Sequence, residues 1–140
     1  MLRREGSESR GTYDVRDWLE SLGFVNACFS GRIDNELEKV LCVYDDRMDD
    51  NSKDICYGGD SYTTKTFMAS VVLQWNKDPE ETEKAAKAFI NKLKEIEVNG
   101  SFEMGDYFVN FISVMDRSKD LYRNENGLCQ RRINFDIIYS

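Results

Sequence analysis

The chain has 140 residues and a formal charge of −7, from 19 Lys and Arg against 26 Asp and Glu. Its length and 41% apolar content suit one domain whose core needs no disulfide or metal, and they argue against global disorder. The acidity argues against a sequence-independent nucleic-acid binder, which needs a basic surface to displace phosphate counterions. No apolar run approaches the roughly 18 residues of a membrane span. No apolar stretch follows Arg3 and Arg4, so no secretory signal is expected.

Residues 1–11 are polar and aperiodic and read as a flexible arm ahead of a single domain over 12–140. A first helix is expected over Tyr13–Leu22, because Val15, Trp18, Leu19 and Leu22 recur on one helical face. Thr12 is its expected N-cap and Gly23 its stop. A short strand over Phe24–Phe29 should end at Ser30-Gly31. Glu38–Asp45 reads as an interior strand, since Val40-Leu41-Cys42-Val43-Tyr44 is apolar on both faces. The charged stretch Asp45–Asp60 then reads as a long, solvated hairpin tip.

A third strand is expected over Ser61–Trp75. Phe67, Ala69, Val71, Leu73 and Trp75 fall on one face and Thr66, Met68, Ser70, Val72 and Gln74 on the other. Asp78-Pro79-Glu80-Glu81 is a strong helix start, with Asp78 as N-cap, Pro79 in the first turn and Glu81 closing a capping box. That helix should run to about Ile96 with Ala85, Ala86, Phe89, Ile90, Leu93 and Ile96 inward. Asp106–Met115 and Leu128–Tyr139 read as the last two strands, with a type I′ turn expected at Asn126-Gly127. The expected architecture is α+β in the order α-β-β-β-α-β-β. Its sheet is mainly antiparallel, four- to five-stranded, with both helices on one face.

Chemistry has little to work with. Histidine is absent, which excludes Ser/His/Asp and Cys/His nucleophilic sites and any His metal site. Cys28, Cys42, Cys56 and Cys129 form no CxxC pair and read as buried reduced thiols. The acids between Asp45 and Asp54 lack the glycine and closing glutamate of an EF-hand loop. No glycine-rich phosphate cradle follows a strand. Neither catalysis nor a cofactor nor a metal is therefore expected. The candidate protein-contact residues are the acids Asp45, Asp46, Asp49 and Asp50, with the turn-borne aromatics Tyr57, Tyr62 and Tyr122 as anchors.

Several phrases carry a resemblance. They are Gly58-Gly59-Asp60-Ser61-Tyr62-Thr63, the run Val71–Ala86 with its Trp75-Asn76-Lys77-Asp78-Pro79, the turn Arg123–Gly127, and Ile133–Tyr139. Together with the element order over 13–140, they resemble the minor capsid and tail-completion (tail-terminator) proteins of tailed bacteriophages and prophages. The resemblance implies a non-catalytic α+β subunit that forms rings, typically hexamers, joining tail to head. It implies self-contacts and contacts with other head and tail proteins, first in the bacterial cytoplasm and then in the virion. The family has no motif that fixes individual functional residues. Membrane and sequence-specific nucleic-acid partners are not expected. The net charge supports a different expectation: an acidic binding module, such as an immunity or antitoxin protein that neutralises a basic toxin.

Overall fold

The computed structural model describes residues 7–45, 55–56, 63–115 and 121–140, and these form ten elements. In chain order they are α1 (Ser7–Ser21), β1 (Ala27–Ser30), β2 (Val40–Asp45), β3 (Ile55–Cys56), β4 (Thr63–Gln74) and α2 (Pro79–Asn99). β5 (Phe102–Met104), β6 (Tyr107–Met115), β7 (Leu121–Arg123) and β8 (Cys129–Tyr139) follow. The two longest strands form the centre: β4 and β8 pair antiparallel from Lys65↔Tyr139 to Gln74↔Gln130. β2 lies outside β4 and β1 outside β2; on the other flank β6 lies outside β8 and β5 outside β6. β3 continues along β4 beyond β2, and β7 along β8 beyond β6.

Strand periodicity decides what the helices cover. On one sheet face Leu41, Val43, Ala69, Val71, Leu73, Ile112, Ile133, Phe135 and Ile137 meet Val15 and Leu19 of α1. Ala85, Ala86, Phe89, Ile90 and Leu93 of α2 join the same buried core. Both helices thus pack on one face, as expected from the two amphipathic stretches. Burying each large aliphatic or aromatic side chain contributes about 1.5–3 kcal/mol. Trp18 stacks on Phe102 with ring centroids 5.2 Å apart, which ties α1 to β5. Arg131 is fully buried on this face, and Glu83 of α2 accepts from its Nη1 with both carboxylate oxygens at 2.8 Å.

The structure corrects several expectations. The sheet is mixed rather than purely antiparallel, because β1 and β2 run parallel, joined by the crossover 31–39. Among the described residues it has six strands on its main path, plus β3 and β7, where four or five were expected. β5 pairs with β6 across the two-residue turn Gly105-Asp106, with Gly105 at φ 60°. α1 begins at Ser7, so residues 7–11 of the supposed arm are helical. Thr12 is buried inside the helix rather than capping it, because it extends the inward stripe of Val15 and Leu19 by one turn. Gly23 does stop the helix, at φ 73° with its N–H on the Glu20 carbonyl.

At α2 the Asp78 side chain accepts from the Glu80 N–H, as the N-cap reading requires. Glu81 does not close a capping box. Its carboxylate accepts from Asn76 Nδ2, and Asn76 Oδ1 takes the Asp78 N–H instead. The β7–β8 turn is not type I′, which needs positive φ at both central residues, whereas Gly127 alone has it there. The Gly127 N–H bonds the Asn124 carbonyl and the Asn124 N–H bonds the Leu128 carbonyl, a three-residue loop closed by a left-handed glycine. The expected Asp45–Asp60 hairpin tip contains β3, which pairs Ile55 with Thr64. The rest of that stretch, apart from Asp45 at the end of β2, lies outside the described residues.

Candidate interaction surface

Among the described residues the second sheet face carries no helix, and its residues line up in rows across the strands. Val40, Gln74, Gln130 and Tyr122 form one row, followed by Cys42, Val72 and Arg132. Tyr44, Ser70, Asn134 and Met115 come next, then Met68, Asp136 and Ser113, then Thr66, Ile138 and Phe111. A single bulge between Val109 and Phe111 sets which side chains of β6 reach this face. The two ends of the face differ in kind.

At the first end the crossover 31–39 is fastened over the sheet by one fully buried side chain. Gln74 Nε2 donates to the carbonyls of Asp34 (2.8 Å) and Leu37 (2.7 Å). Its Oε1 accepts from Asn124 Nδ2 (3.0 Å) and Gln130 Nε2 (2.7 Å). Every hydrogen-bonding position of this carboxamide is therefore used. Asn124 and Asn126 also donate to the Asn35 carbonyl, each at 3.0 Å, so the β7–β8 turn and the crossover close on one another. Lys39 takes a left-handed φ of 60° here, gives its N–H to the Trp75 carbonyl and sets its ammonium over the Trp75 ring.

In the middle, Arg132 Nη1 donates to the Ser70 hydroxyl at 2.9 Å, while the Asn134 Oδ1 beside them is buried without a donor. Burial pushes the Tyr44 hydroxyl up to about 12, helped by its hydrogen bond with Cys42. Burial likewise raises the Cys42 thiol, and it pushes Cys28 up to about 12, with Glu20 adding to the effect. These groups stay protonated at neutral pH, so they pack and donate rather than attack. Cys28, Cys42 and Cys129 are buried thiols, as expected.

Along the outer strand β6 the face is more exposed. Phe108, Phe111 and Met115 of β6 are 46, 39 and 36% exposed on one side of one strand. Glu103 is exposed opposite Phe108, and the turn residue Asp106 adds a second carboxylate nearby. Among the sequence-picked contact residues, Tyr122 lies on this face, in β7, and is 55% exposed. Asp45 ends β2; Asp46, Asp49, Asp50, Tyr57 and Tyr62 lie outside the described residues. The β6 cluster was not singled out from sequence, although Phe108 and Phe111 stand in an expected strand. Without the bulge at Asn110, simple alternation would put Phe108 and Phe111 on opposite faces. No helix among the described residues is long and apolar enough to cross a membrane. No protein-family model matches the chain, and neither does any curated protein.

Proposed function

We propose that the protein is a non-catalytic structural subunit that works by binding other protein subunits. Its most specific form is a ring-forming tail-terminator or minor capsid-like component of a phage head–tail junction. The observation that supports it is the outer strand β6 of the helix-free face, where Phe108, Phe111 and Met115 are each more than a third exposed along one side. Exposed apolar side chains gathered in one place mark contact surfaces more often than scattered ones do. The raised thiol and phenol pKa values fit the same reading, since they leave no activated nucleophile among those groups. Light scattering across a wide concentration range tests it. Self-assembly gives a mass that climbs to a closed multiple of 16.3 kDa, six-fold for a hexamer. A chain that stays monomeric at every concentration would rule out ring assembly. A second reading, an acidic module for a basic protein, draws on Glu103, paired with Phe108, and on Glu97 at the β6 edge. Tight salt-dependent binding by a monomeric chain would favour it.

A further inference from the structure

β6 is an edge strand for most of its length. β5 pairs with it from Tyr107 to Val109, and among the described residues no strand pairs with that side further on. The Val114 N–H points away from β8, because it donates to Glu97 Oε1 of α2 at 3.3 Å. Ile112 shares its parity on an unbroken stretch, so its backbone groups point the same way. A carboxylate on an open edge is a recognised guard against unwanted strand pairing. Here it also sets the sign of charge at the edge.

The two faces of this edge differ in chemistry. A strand added beside Asn110–Met115 would place alternate side chains next to Phe111 and Met115 on the helix-free face. Its other side chains would fall beside Ile112 and Val114, next to Glu97. A second copy pairing through its own β6 would add a second Glu97 carboxylate to the same short ladder rather than a cation to answer the first. We propose that the outer edge of β6 is a strand-docking site for an extended segment of another protein that alternates basic and apolar residues. The apolar residues cover Phe111 and Met115. A lysine or arginine draws Glu97 off Val114, and the freed N–H takes a carbonyl of the incoming strand. This rests on the reading of the chain as a protein-binding subunit and adds the surface and the chemistry of the partner.

An NMR titration of the full chain with a capped octapeptide alternating lysine and valine tests the site. The expected result is shifts centred on Phe111–Met115, with slowed exchange of the Val114 amide. An octapeptide alternating glutamate and valine should give none. Glu97→Lys should reverse that preference, and Phe111→Ser, an exposed position that keeps the fold testable, should weaken binding at least about tenfold. Equal binding of the two peptides, shifts centred elsewhere, or a Glu97→Lys variant with unchanged preference would each overturn the site. Self-association by light scattering without any shift on β6 would overturn it too and leave the assembly reading standing. Peptide binding by a chain that stays monomeric would support the site and remove ring assembly.

Discussion

The Gln74 end of the helix-free face and its β6 margin belong to one sheet yet solve opposite problems. At the Gln74 end every donor and acceptor of the buried carboxamide is matched, and the crossover 31–39 lies fastened over the sheet. Along β6, among the described residues, no strand pairs with the outer edge beyond Val109, and Phe108, Phe111 and Met115 are part exposed. A fully satisfied buried polar network rigidifies what it touches, whereas an open apolar edge is worth keeping only if something covers it. The contrast separates residues that hold the fold from residues free to serve contacts.

Substitutions can break that comparison. Gln74→Leu should cost the most, on the order of 3–5 kcal/mol by denaturant unfolding, because it orphans two carbonyls and two amide donors at once. Leu93→Ala, in the core beneath the opposite face, should cost a similar 2–5 kcal/mol or so. Asn124→Ala removes one donor to Gln74 and one to the Asn35 carbonyl, and should cost about 1–3 kcal/mol.

Alkaline titration sharpens the comparison further. The folded pKa values of Cys28 and Tyr44 lie near 12, above ordinary values of 9.0 and 10.0. Burial thus favours the protonated forms. That contribution is fully present below about pH 9 and is lost as pH rises toward 12, so thermal midpoints should be flat through neutrality and fall in the alkaline range. Phe111→Ser should have the smallest effect, about 1 kcal/mol, because the side chain is already part exposed. A loss of several kcal/mol there would mean the far end is structural after all.

Much of the frame was legible in the chain. The alternation through Phe67–Leu73 and Ile133–Tyr139 assigned both central strands their faces, and Asp78-Pro79 marked the start of α2. Local signals failed where the elements are short. β5 has three residues and β7 three, too few for a period, although Gly105-Asp106 is a two-residue turn pair that could have exposed the β5–β6 hairpin. The parallel pairing of β1 with β2 depends on where a nine-residue crossover passes, which no local pattern encodes. Thr12 misled because a helix-starting residue type also fits a buried helical position. The interaction surface was the least legible part. It depends on one bulge at Asn110 and on which edge stays unpaired, and both are properties of the assembled sheet.

Amide hydrogen exchange on the free monomer compares the two ends directly. The account predicts strong protection at Lys39, Trp75 and Cys129, whose N–H groups bond to Trp75, Cys129 and Asn76 carbonyls across the fastened end. It predicts fast exchange at Ile112, whose N–H faces the open edge. Equal, strong protection at Ile112 in a proven monomer would show the edge already covered and would contradict the division of this face into a holding end and a binding end.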